Sequence, residues 1–130
     1  MEFVAYQYTS PVSGSWEADV AWRDLRVLVR RRRMELGLDD EQPRWPVTRE
    51  RLEESGAFRL TLETSAHAVE TGDARRFLGF VLSEASLTTL LEHVTEEELG
   101  LDRLREIVGR TIGSRPARWH LGYQVLLASK

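Results

Sequence analysis

Trp119-His120-Leu121-Gly122-Tyr123-Gln124-Val125-Leu126-Leu127-Ala128 is the stretch whose reading decides the fold. It contains no proline and reads as a strand, apolar on both faces except at His120 and Gln124. Working outward, residues 2–9 (Glu-Phe-Val-Ala-Tyr-Gln-Tyr-Thr) are rich in aromatic and β-branched types and stop at Ser10-Pro11, which marks a second strand. Phe58 to Val69 alternates as a third, with Phe58, Leu60 and Leu62 on one face.

The segments between these strands have helical periodicity. From Trp16, the residues Ala18, Ala21, Trp22, Leu25, Leu28 and Val29 recur at three-and-four spacing and the pattern runs to Leu36, with Ser15 suited to the N-cap and Gly37 to the position past the C-terminus. The run Arg30-Arg31-Arg32-Arg33 points nearly all round that helix, so most of it is expected to be solvated beside the negative end of the helix dipole rather than a phosphate patch. Pro43 and Pro46 bracket Trp45 in a loop that Trp45 is expected to lock. Thr48 caps a short helix ending at Gly56. A turn at Thr71-Gly72-Asp73 opens a stripe of Phe77, Leu78, Val81, Leu82 and Ala85, followed by Leu87, Leu90, Leu91 and Val94 after a break near Ser86. Thr95 to Glu98 has capping-box spacing and starts a further amphipathic helix ending at Gly113.

The order β-α-α-β-α-α-β predicts an α/β domain, and no repeat, low-complexity tract or composition shift divides it. A chain of 130 residues with 42% apolar and 30% charged side chains has the size and composition of one folded domain. Its net charge of −3 lacks the basic excess of a chain built on phosphate backbones, so nucleic acid is not the expected partner. Without cysteine there is no disulfide framework, thiolate nucleophile or sulfur-bound zinc. The start Met1-Glu2-Phe3-Val4 has no basic stretch followed by an apolar core, and no apolar run approaches a membrane span, so a cytoplasmic protein is expected.

Catalytic signatures are sparse. His67, His93 and His120 have no companion at metal-ligand spacing, so no metal site is expected. No serine lies in a G-x-S-x-G turn. The chain contains no G-x-G cradle and no P-loop.

The runs Arg44-Trp45-Pro46-Val47-Thr48-Arg49-Glu50-Arg51-Leu52-Glu53-Glu54-Ser55-Gly56-Ala57-Phe58 and Gly72-Asp73-Ala74-Arg75-Arg76-Phe77-Leu78-Gly79-Phe80-Val81-Leu82-Ser83 resemble the late portion of small-molecule class I S-adenosylmethionine-dependent methyltransferases. Glu96 to Asp102 and Trp119 to Val125 are similar to the final helix and last strand of that family. The resemblance implies a partial Rossmann-like sheet in which residues 2–9 correspond to the family's fifth strand, 58–69 to its sixth and 119–128 to its antiparallel seventh. The glycine-rich turn and acidic residue that hold the cofactor in that family belong to strands with no counterpart here. The implied function is therefore a portion or subunit of a methyltransferase that supplies the acceptor-side wall. S-adenosylmethionine would come only through a complementary chain, and the isolated chain would bind no cofactor. In that topology Tyr8, Trp16, His67, Phe77 and Trp119 gather at one rim as candidate contacts to a small-molecule acceptor, although buried aromatics also serve as core. Residues 2–9 would present an open sheet edge, to be covered by the complementary chain or by a homodimer.

Two readings of other classes compete with this one. The first is a non-catalytic α+β module that binds a protein or a small apolar ligand. The second is a ferredoxin-like α+β dimer, which the order of elements also permits.

Overall fold

The computed structural model describes residues 2–38 and 47–130, so the expected role of Trp45 lies outside the described residues. The described chain is mixed α/β, with strands β1 (Glu2–Tyr8), β2 (Leu60–Gly72) and β3 (Ala117–Ser129). Six helices accompany them: α1 (Trp16–Glu35), α2 (Arg49–Glu54), α3 (Ala74–Leu82), α4 (Ala85–Leu90), α5 (Glu96–Leu99) and α6 (Leu101–Thr111). The strands form one antiparallel sheet in the order β1-β3-β2, which places the last strand in the middle. None of the described helices is long and apolar enough to cross a membrane.

The expected boundaries move by a few residues, and one expected helix divides. Ser15, Thr48 and Asp73 cap α1, α2 and α3 by accepting from the amides of Ala18, Arg51 and Arg76. The reciprocal capping box at Thr95 and Glu98 is formed, but the helix it opens lasts only four residues. Gly100 then turns left-handed, with φ of 68°, and α6 starts afresh from it. The apolar stripe from Phe77 is interrupted earlier than expected, because the chain leaves the helix at Ser83 and re-enters at Ala85.

The chain forms two compact units. One comprises residues 2–11, 47–69 and 120–130 among those described. In it β1 pairs with β3 without a break in register, from Glu2 opposite Ser129 to Tyr8 opposite Tyr123. Phe3 lies opposite Ala128 and Ala5 opposite Leu126, so these four share a sheet face. Leu126 and Ala128 are buried there with Leu52 of α2, and Phe3, Ala5, Val47 and Phe58 pack around them. On the other face Val4, Tyr6 and Tyr8 remain 59%, 63% and 59% exposed.

The second unit comprises residues 12–38 and 70–119. Ala18, Trp22, Leu25 and Val29 form the buried stripe of α1, which packs against α4, α5 and α6. Phe77, Val81, Leu87, Leu90, Leu101, Val108 and Trp119 are almost wholly buried in the same core. Most of the arginine run is solvated as expected, and Arg33 is the exception. Arg30 and Arg31 are exposed, but Arg33 is only 6% exposed. Its guanidinium donates to the Ser86 carbonyl at 3.2 Å, to the Leu38 carbonyl at 2.9 Å and to the Thr89 hydroxyl, tying the end of α1 to α4. The planar fork reaches both carbonyls at once, which a single ammonium does not.

Two stability predictions follow from these contacts. Arg33→Lys leaves one of the two carbonyls without its donor and is expected to lower unfolding free energy by about 1–3 kcal/mol in urea denaturation. Loss of less than a few tenths would show that the bridge is not a structural tie. At the sheet edge, a Cβ on Gly122 would fall 2.7 Å from the Thr9 hydroxyl, while the Thr9 amide is held by the Gly122 carbonyl at 2.7 Å. Gly122→Ala is expected to cost about 1 kcal/mol. Most of that cost should disappear in a Thr9→Ala background, as a double-mutant cycle will read.

Candidate functional site

The five residues predicted to gather at one rim divide between the two units. Tyr8 and His67 belong to the sheet unit, and Trp16, Phe77 and Trp119 to the helical one. Tyr8 sits at the end of β1, its ring 6.5 Å from that of Tyr123, which also meets Tyr6 at 6.4 Å. His67 and His120 are exposed, with ring centroids 6.4 Å apart.

In the helical unit Phe77 and Trp119 are brought together and Trp16 is not among them. Phe77 meets the Trp119 ring edge-on at 5.5 Å, and Phe80 meets it at 5.6 Å. Both predicted residues are core side chains, with Phe77 0% and Trp119 1% exposed. The Trp119 indole N–H is buried without a hydrogen-bond acceptor among the described residues. That is a cost of about 1–3 kcal/mol that the aromatic packing must offset.

Trp16 is 74% exposed at the start of α1 and lines a groove of about 780 Å³ between α1, α5 and α6. Val20, Leu25, Leu28, Leu104 and Ile107 form its floor. Glu17, Asp24, Glu97, Glu98, Glu106, Arg103 and Arg110 supply its charged rim. Arg110 is paired with Glu17 at 2.7 Å, which joins the start of α1 to the end of α6. The sequence reading took Trp16 as a rim aromatic but did not identify this groove. Its signal was the pair of acidic and apolar patterns on α1 and α6, which become one surface only after the helices pack.

The shifted carboxyl groups are accounted for by structural roles. Burial pushes Glu84 above its ordinary value, opposed by Arg26 at 3.6 Å and by a hydrogen bond with Ser86. Hydrogen bonds from Arg105 and from Arg49 with Thr61 hold Glu96 and Glu53 below theirs. None of these three lines the groove. Among the described residues no three His, Asp or Glu side chains form a group able to hold a metal ion.

No family model, curated protein or solved structure matches this chain.

The geometry separates core aromatics from accessible ones, and that separation can be measured. Phe77→Ala and Trp119→Ala are each expected to cost about 3–5 kcal/mol of stability. Trp16→Ala should stay within about 0.5 kcal/mol of the parent. Chemical denaturation showing Trp16→Ala as costly as the other two would remove Trp16 from the accessible surface.

Proposed function

We propose that this chain is a portion or subunit of an S-adenosylmethionine-dependent small-molecule methyltransferase, supplying the acceptor-side wall to a separate cofactor-binding half. The observation that carries this reading is the sheet, in which the last strand is antiparallel to the first and lies between it and the second. An antiparallel last strand is what the resemblance implies for residues 119–128, and it supports a partial Rossmann-like arrangement. In the resembled family the strand corresponding to β1 is flanked on its outer side by a further strand. Here β1 has no strand on its outer side among the described residues. The sequence also has no glycine-rich turn against which an adenosyl group could be held.

On this reading the chain contributes shape rather than cofactor chemistry. Tyr8 and His67 in the sheet unit and Trp16 in the helical unit are exposed and are the candidates to meet an acceptor directly, while Phe77 and Trp119 are core side chains that stiffen the helical unit. The second reading, a non-catalytic α+β binding module, is favoured by the burial of Phe77 and Trp119 in the core.

Titration of S-adenosylmethionine into the isolated chain is expected to show no micromolar site. The chain purified from its own host should bring with it a second polypeptide, and photo-crosslinking with radiolabelled S-adenosylmethionine should mark that polypeptide. A micromolar site on the isolated chain would overturn the division of labour. Absence of any labelled companion would favour the non-catalytic module.

A further inference from the structure

We infer that the outer edge of β1 is a self-association surface, on which a second copy of this chain pairs its own β1 antiparallel about a two-fold axis at Ala5. The inference is argued from the register and composition of one strand, and it describes the chain without the complementary half of the proposed function, which would take the same edge.

The hydrogen-bond parity comes first. The Thr9 amide donates to the Gly122 carbonyl at 2.7 Å, in the same register that pairs Tyr8 with Tyr123. In an antiparallel ladder, residues that exchange bonds with the partner alternate with residues whose N–H and C=O point the other way. Continuing that alternation along the unbroken register, Phe3, Ala5 and Gln7 bond inward to β3. Glu2, Val4 and Tyr6 direct their backbone groups outward.

The composition of β1 then selects the occupant. Native edges are protected by lysine, proline, bulges or inward charges, and β1 has none of these, its single charge being Glu2 at the very end. The other edge strand, β2, carries Glu63 and His67 within its run. A copy of β1 aligned about Ala5 puts Val4 opposite Tyr6 of the second copy, Phe3 opposite Gln7, and Glu2 opposite Tyr8. Val4 and Tyr6, both outward-bonding, then meet each other on either side of the axis, so the ladder closes over the middle of the strand. No like charges are opposed, and Val4 with Tyr6 makes the β-branched and aromatic pair that favours sheets. On the axis itself, Ala5 faces Ala5 at a non-hydrogen-bonded position. Such positions bring side chains closest, and the smallest residue of the strand stands there. A shift of two residues either way loses part of the ladder. This is an isologous contact, closed by its own symmetry.

The parity also distinguishes proline substitutions. Ala5→Pro removes an amide that bonds to β3 and damages the chain's own sheet. Tyr6→Pro removes an outward amide and leaves that ladder whole.

The purified chain is examined by light scattering at high micromolar concentration, where the parent is expected at twice its 15.0 kDa mass. Tyr6→Pro should run at the monomer mass with an unchanged far-ultraviolet circular dichroism spectrum. Because the sequence has no cysteine, Ala5→Cys introduces a single thiol. Under mild oxidation it should cross-link to completion through the axis, whereas Gln7→Cys, which faces Phe3 of the second copy, should not. A monomeric parent, a dimer that survives Tyr6→Pro, or Gln7→Cys cross-linking as well as Ala5→Cys would each overturn the assignment. Failure of any S-adenosylmethionine experiment leaves these outcomes untouched.

Discussion

The sheet depends on β3, which alone of the three described strands has neighbours on both edges. Without it β1 and β2 have no ladder, and a two-stranded ribbon of either with β3 would be marginal in water. The constraint is also topological, because β3 comes last and its partner β1 comes first. Their ladder closes only after the intervening chain has been gathered in, which makes it a non-local contact that forms slowly. Residue choice in β3 reflects two demands. Trp119 and Leu121, at odd positions, are buried toward its start, and Leu126 and Ala128, at even positions, toward its end. A strand buried first on one side and then on the other reads as apolar on both.

Four of the six helix starts described were legible because each rests on a local chemical signal. Ser15, Thr48, Asp73 and Thr95 all accept from the amide three positions on, and nothing distant is needed to form those bonds. Interruptions were less legible. The apolar stripe of α3 stays in phase as far as Ala85, so periodicity records a break near Ser86 but not that the chain has already left the helix at Ser83. Gly100 carries a clearer signal, since a glycine directly after Leu99 is a natural left-handed stop, but a capping box just before it argues for a longer helix. Arg33 shows the limit most sharply. It stands four residues after Val29 and so continues the buried stripe of α1, but the carbonyls of Leu38 and Ser86 that receive its guanidinium are not visible in the run itself.

The candidate aromatics divide for a similar reason. Phe77 and Trp119 lie on apolar patterns, which a core and an acceptor pocket produce equally, so burial distinguishes them only once the helices are packed. Trp16 carried a sharper clue. It stands two residues before Ala18 and is thus about 200° around the helix from the Ala18, Trp22, Leu25 and Val29 stripe. An aromatic on the wrong side of its own helix is exposed unless another element covers it. In this chain it opens onto the groove beside α5 and α6.

The distribution of charge limits what chemistry these surfaces can contribute. The shifted carboxyls of Glu53 and Glu96 are held by arginines, and that of Glu84 answers to its own partial burial beside Arg26. Glu53 and Glu96 are poor proton acceptors, because each proton taken up forfeits the hydrogen bonds that lowered their values. Methyl transfer from a sulfonium makes a different demand. It depends chiefly on in-line alignment and exclusion of competing water, and gains most from a surface whose side chains do not rearrange. The Phe77, Phe80 and Trp119 rings, packed edge to face, have that stiffness. Almost wholly buried in the core, Phe77 and Trp119 fix the shape of the helical unit rather than meeting a ligand themselves.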